Sequence, residues 1–259
     1  MFDLVEAIEI SQRVRPMNGG FECETLKTPH GGIFGAYQLF QIVIASEMAV
    51  PDKRVFSIQT VFANGGVSGD AAQISIETLQ NGRSFAFLSV TFRQATTIIS
   101  RHEVMLTVDE SDFLHHRNAG NPPVDLDSWE ELQSGLWPRP AHRDPNSNID
   151  QLSIHYQLDV QPDPMITRAL LALVSEPAIM AAINTYHEIP ASSPGRVPGN
   201  VLAQSITLLE PADLVKGVIL RSTAQYAGQG RVHGHGNMVN AEGNLIATYS
   251  TTGVLRQPR

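Results

Sequence analysis

Between residues 32 and 49 apolar side chains fall on nearly every side of a helical wheel: Ile33, Phe34, Ala36, Tyr37, Leu39, Phe40, Ile42, Val43, Ile44 and Met48. A helix apolar all round must be wrapped by other elements, and Pro51 closes this one. The period then changes to two. Val55–Ala63, Gln73–Leu79, Arg83–Arg93 and Ile98–Val108 alternate in the manner of antiparallel strands, with turns at Asn81-Gly82 and Gln94–Thr97.

Residues 113–150 differ in character. Asn121-Pro122-Pro123, Trp137-Pro138-Arg139-Pro140 and Asp144-Pro145-Asn146 break regular structure, so the stretch reads as a Pro-rich linker, packed where Trp129, Leu132 and Trp137 seek burial. Beyond it the order repeats. Asp163-Pro164 predicts an N-cap with Pro at the first helical position, opening an apolar helix through Val174. A second start at Ser175-Glu176-Pro177 predicts a helix to about Tyr186, and Val201–Leu209, Gly217–Tyr226, Arg231–Asn240 and Leu245–Leu255 read as strands. An offset of 148 matches Gly82-Arg83 with Gly230-Arg231 and brings the two final hairpins into register.

A buried helix wrapped by a curved antiparallel sheet is the hotdog arrangement. The expected fold is therefore α+β, a double hotdog with central helices near 32–49 and 177–186 and the two sheets joined into one, which removes an exposed edge from each. The expected domains are 1–112 and 151–259, with the linker 113–150 between them. The alternative is an unrelated α+β domain.

Apolar residues make up 42% of the 259-residue chain and charged residues 17%, enough to fill a sizeable core and too little charge for disorder. The formal charge of -8, with 18 scattered basic residues, argues against a nucleic-acid partner. Unbroken apolar runs such as Ile42–Ala45 are far short of the roughly 20 residues that span a bilayer, so no membrane span is expected. Cys23 is alone, which excludes an internal disulfide and suits a reducing compartment. The start lacks a signal-peptide pattern and the last three residues form no peroxisomal tripeptide, so the expected location is the cytoplasm.

Three stretches resemble the acyl-CoA thioesterase II family. The first is Pro29-His30-Gly31-Gly32-Ile33-Phe34-Gly35. The second runs from Val55 through Ile76-Glu77-Thr78-Leu79-Gln80-Asn81-Gly82-Arg83-Ser84-Phe85 to Phe92-Arg93-Gln94. The third is Glu242-Gly243-Asn244-Leu245-Ile246-Ala247 with Thr252-Gly253-Val254-Leu255-Arg256. The resemblance implies a double hotdog that hydrolyses acyl-CoA or acyl-carrier thioesters without a metal, in lipid or polyketide metabolism, commonly as a homo-oligomer. It also implies a reacting water held by an Asp, a Thr and a Gln in the C-terminal half. The chain departs from that set at each place. The Asp position falls on Glu176, the Thr position on Val201 (or on Asn200 if the register slips by one), and the Gln position on Thr251.

Thioester hydrolysis needs a group that activates water and donors facing the developing oxyanion. Gly31 and Gly32 are expected to offer backbone N–H groups at a helix start, or else only to turn the chain. His30 can polarise the carbonyl or move a proton, or can cap the helix. Glu176, followed by Pro177, is expected at a helix N-cap, where the dipole keeps a carboxylate ionised; it is the candidate base, or a simple cap. Thr251 can hold the water or serve only as a strand former, and Asn200 contributes only if the register permits. Arg83 and Arg231 can bind coenzyme A phosphates or remain solvated surface. His233-Gly234-His235 with Asn237 shares one strand face, but a metal site usually needs a further ligand, and none is expected. His115-His116 is expected at the surface.

No Gly-x-Ser-x-Gly elbow, Walker A loop or Gly-x-Gly-x-x-Gly fingerprint occurs, so neither an acyl-enzyme nor a nucleotide cofactor is expected. Three functions remain in view: a thioesterase using Glu176; a non-hydrolytic dehydratase, isomerase or cyclase on a tethered acyl chain; and an inactive acyl-thioester binding protein.

Overall fold

A computed structural model describes residues 9, 12–28, 31–111, 113, 114, 116, 126–131, 141–147, 151–186 and 199–256. Among them the chain divides into two compact units, one within residues 3–113 and 163–173, the other within 114–162 and 174–259.

In the first unit β1 (Val14–Met17) and β2 (Gly20–Glu24) precede α1 (Gly35–Ala49), which is followed by β3 (Arg54–Phe62), β4 (Ala71–Asn81), β5 (Phe85–Gln94) and β6 (Thr97–Thr107). The strands pair antiparallel in the order β1-β2-β4-β5-β6-β3. Alternation buries one face: in β5 it is Ala86, Leu88, Val90 and Phe92 that point inward. Helix α1 is buried on all sides, as its wheel predicts, and packs on β1, β3, β4 and β5. It begins three residues later than expected, because Gly31 takes a left-handed φ of 75° and Gly32 forms a β-bridge with Val67. The hairpin β1–β2 carries no clear period-two signal and was not predicted.

The second unit holds β7 (Glu130–Glu131), β8 (Ala141–Arg143), β9 (Leu152–Tyr156), α3 (Ala178–Tyr186), β10 (Gly199–Leu208), β11 (Val218–Gly228), β12 (Arg231–Val239) and β13 (Leu245–Leu255). Helix α2 (Pro164–Ser175) precedes α3, and up to Leu173 it groups with the first unit. Asp163 caps α2 as predicted, its carboxylate accepting from the Ile166 N–H at 3.0 Å. The strand order is β10-β13-β12-β11-β9-β8-β7, all antiparallel, with α3 packed on β11, β12 and β13. Strands β7 and β8 lie within the stretch read as linker.

The two units repeat one topology: β2-β4-β5-β6-β3 in the first and β9-β11-β12-β13-β10 in the second. The offset of 148 carries the ends of β6 onto those of β13. The buried positions, however, coincide at an offset of 149, where Ser100, His102 and Val104 of β6 fall on Tyr249, Thr251 and Gly253 of β13. One residue of slip exchanges the faces of a strand.

The segment Pro164–Thr185 is long and apolar enough to cross a membrane by length and composition, yet 94% of its most apolar window is buried within the protein. That is the behaviour of a core helix.

Candidate active site

Strand β10 turns Gln204, Ile206 and Leu208 inward, and β13 turns Ala247, Tyr249, Thr251 and Gly253 inward. The register sets Gln204 directly opposite Thr251. Both are buried, at 4% and 1% exposure, and each keeps an oxygen with no hydrogen-bond partner in the protein, Oε1 of Gln204 and Oγ1 of Thr251. The amide nitrogen of Gln204 is already used: it donates to Ser175 Oγ at 2.6 Å. This contact fixes the turn between α2 and α3 against β10, and the next residue of that turn is Glu176.

Glu176 is 4% exposed and its Oε2 has no partner in the protein. Burial pushes the carboxyl up to about 8. The expectation of a carboxylate kept ionised by a helix dipole is thereby corrected. Helix α3 starts at Ala178, and the Ala181 N–H donates to the Pro177 carbonyl at 2.8 Å, so Pro177 rather than Glu176 stands at the cap. With no compensating donor, desolvation dominates.

Three buried, polar, incompletely satisfied side chains on neighbouring elements are rare in a folded interior, where such groups are normally paired. A fourth wall is Tyr249, two residues before Thr251 on the same face. Its hydroxyl meets Ser222 Oγ at 2.6 Å, and its ring lies across β12 at Gly236, where an added Cβ would sit 2.3 Å from it. Beside Thr251 on the other side, Met180 of α3 covers Gly253, its sulfur 2.9 Å from where a Cβ would be.

The equivalent place in the first unit is chemically closed. There Thr60 of β3 pairs with His102 of β6, as Gln204 pairs with Thr251. Thr60 Oγ1 lies 2.9 Å from His102 Nδ1, Ser100 Oγ 2.8 Å from His102 Nε2, and Ser100 donates to Gln38 Oε1 at 2.6 Å. Burial holds the imidazole neutral, its pKa pushed down to about 3. Every member is satisfied by another, which leaves this network a structural role.

The remaining candidates fall elsewhere. Asn200 is exposed, opposite Val254, and does not join Gln204 and Thr251; Val201 faces Gly253. The Gly31 N–H, expected to be free at a helix start, donates to the Thr28 carbonyl at 3.0 Å, and Gly32 is held by its bridge to Val67. Arg83 and Arg231 are exposed. His30 lies outside the described residues. His233 and His235 share the exposed face of β12, with His233 Nδ1 3.0 Å from Thr252 Oγ1. Among the described residues no group of three or more His, Cys, Asp or Glu is placed to hold a metal ion.

Sequence reasoning missed Gln204. Its signal was present: a glutamine sharing a period-two face with Ile206 and Leu208 is a polar group bound for the core.

Residues 25–108 match the family model of the acyl-CoA thioesterase N-terminal domain. The TesB protein of Mycobacterium avium subsp. paratuberculosis superposes with a TM-score of 0.81 at 18% identity, over 98% of this chain and 99% of that one. The chain has the fold of the acyl-CoA thioesterase II structures. A second example, acyl-CoA thioesterase II TesB2 from Mycobacterium marinum, gives a TM-score of 0.78 at 18% identity, covering 97% and 98% of the two chains. A hot dog fold protein of unknown function from Alicyclobacillus acidocaldarius gives 0.76 at 14% identity, over 98% and 99%. No curated protein sequence matches the chain. Within the thioesterase II fold, this chain puts the amide on β10 and the hydroxyl on β13, where the resemblance implies a Thr on the first and a Gln on the last strand. Gln204 sits three residues past Val201, one bulge further along β10.

Proposed function

We propose that the chain hydrolyses acyl thioesters, with Glu176 as base and Gln204 and Thr251 holding the water. The observation that carries this reading is the set of three buried oxygens, on Glu176, Gln204 and Thr251, that no protein donor or acceptor satisfies. Such atoms are costly unless something else fills their hydrogen bonds.

The reaction runs with side chains alone. The ionised Glu176 takes a proton from water as the water oxygen bonds to the thioester carbonyl carbon. The carbonyl oxygen becomes an oxyanion. Its collapse restores the carbonyl and breaks the carbon–sulfur bond, and the thiolate takes back the proton from Glu176. A free acid and a free thiol leave, and the carboxylate is regenerated. A base with a pKa of about 8 is strong enough to take this proton and still partly ionised at neutral pH. Thr251 can donate its hydroxyl hydrogen to the water or to the developing charge.

Acyl-CoA is the proposed substrate class, with an acyl carrier protein as the other source of the same thioester. Exposed Arg83 and Arg231 are proposed to meet the carrier's phosphates. We further propose a cytoplasmic location and self-association; a strict monomer by light scattering at micromolar concentration would overturn the latter.

Release of free thiol from a panel of acyl-CoAs tests the activity. Turnover that Glu176→Gln abolishes supports the reading. An intact thioester with an altered acyl mass points instead to dehydratase-like or isomerase-like chemistry. Saturable binding without product points to a binding protein.

A further inference from the structure

We propose that Ser175 is the positioning residue that decides which end of the Gln204 amide serves the reaction. The proposal rests on the thioesterase reading above and assigns a role to a residue that does not itself meet the substrate.

A glutamine amide has two unlike ends, an NH2 that only donates and an oxygen that only accepts. Gln204 spends its NH2 on Ser175 Oγ, 2.6 Å away, in a contact buried from solvent on both sides. Ser175 is the last residue of α2 and is fully buried, so its hydroxyl has little freedom to move. The amide oxygen is thereby turned away from Ser175 and has no protein partner.

That orientation matters for a nucleophilic water. A water that donates one hydrogen to Gln204 Oε1 and the other to the Glu176 carboxylate keeps its lone pairs for the carbonyl carbon. With the amide reversed, the NH2 would donate to the water, and with Thr251 donating as well neither lone pair would be left for the attack. Thr251, directly across the sheet, then supplies the complementary donor. By accepting from the NH2, Ser175 leaves the amide oxygen of Gln204 to act as the acceptor.

Ser175→Ala should lower kcat by roughly tenfold to a hundredfold and move KM by less than about twofold, the split expected when a transition-state contact is lost. Ser175→Thr, which keeps the oxygen, should restore most of that loss. In a Gln204→Leu background Ser175→Ala should cost nothing further, because the two residues act as one unit. In protein labelled with 15N at glutamine side chains, the Gln204 NH2 signal, assigned by its disappearance in Gln204→Leu, should shift in Ser175→Ala and return in Ser175→Thr. Should Ser175→Ala fail to fold, Ser175→Cys replaces it with a weaker acceptor and the same readouts. An equal loss in both backgrounds, or a raised KM with unchanged kcat, overturns the proposal. If the unaltered protein releases no thiol from any acyl-CoA, the thioesterase reading falls by itself. The amide signal then decides: unmoved in Ser175→Ala, it overturns the orienting contact; moved, it leaves Ser175 as the orienting partner.

Discussion

Gln204 and Thr251 face each other across β10 and β13, both turned inward, and neither finds a protein partner for its free oxygen. Exchanging each for an apolar residue of similar shape tests function and stability together. Gln204→Leu should cost roughly a hundredfold in kcat, the scale of losing one preorganised polar contact. It should also cost about 1–3 kcal/mol of stability, because the buried contact to Ser175 Oγ is lost together with the unsatisfied oxygen. Thr251→Val should cost less activity and leave stability unchanged or raise it, because its hydroxyl has no protein partner to lose. Thiol release and thermal melts on the same samples check both, and a loss of stability in Thr251→Val that parallels its loss of activity would count against the site.

Glu176→Gln should reduce turnover by at least roughly a hundredfold, the typical contribution of a positioned base. The protein should fold normally, since the neutral amide fits a place that already disfavours charge. Near-normal turnover in this variant would sink the assignment of Glu176.

The rate should rise with pH through about 8, as the Glu176 carboxyl ionises, and should level off above it. Stability should move the other way. Burial raises the folded-state pKa from 4.5 to about 8, so the folded protein holds this proton where the unfolded chain has lost it. The stabilisation is complete below about 4.5 and drains away as pH rises to about 8, by an amount of order a few kcal/mol. Denaturant midpoints across that range should fall less steeply in Glu176→Gln than in the unaltered protein.

The ion pair between buried Glu47 and part-buried Arg168 should be more sensitive to halving than to removal. Arg168 donates to both Glu47 oxygens, at 2.7 and 2.6 Å, while Glu47 Oε1 also accepts the Val55 N–H at 2.9 Å. Arg168→Met leaves the buried carboxylate with the Val55 N–H alone and should cost about 1–3 kcal/mol. Adding Glu47→Leu should recover part of that loss. Urea unfolding of the single and double variants is the check, and simple addition of the two effects would contradict it.

Gly236→Ala should destabilise without touching the reacting groups. The new methyl would lie 2.3 Å from the Tyr249 ring and 2.5 Å from the Arg221 carbonyl oxygen. Since that carbonyl is backbone, the ring cannot absorb the clash alone, and about 1–3 kcal/mol of overpacking is expected. A lowered melting temperature with the Tyr249–Ser222 contact disturbed would confirm it.

What the chain reveals by pattern is what regular burial dictates. Helix α1 and strands β3 to β6 and β10 to β13 were legible because each has a strong period. The short strands β1, β2, β7, β8 and β9 were not, since five residues or fewer give little period to read. Thr251 and Glu176 were reached through the resemblance, and the structure gives both a buried, inward place. Asn200 and Gly31 fail for a local reason: the β10 bulge between Val201 and Ala203 and the left-handed turn before α1 both shift register, and neither shift is written in hydrophobicity. Glu176 shows the same gap in electrostatics. Position along a helix is visible in sequence, whereas desolvation depends on everything that packs around the group.

The offset of 149 that aligns the buried faces of β6 and β13, against 148 for their ends, limits how the halves can be recombined. A chimera cut at the strand ends, with residues 97–107 in place of 245–255, would be inside out. Arg101 and Glu103, both exposed in their own half, would land where Tyr249 and Thr251 are buried, and His102 would face water. Splicing the same segment with one more residue ahead of it would put His102 opposite Gln204. The repeated halves are thus interchangeable parts only to an engineer who counts from the pleat.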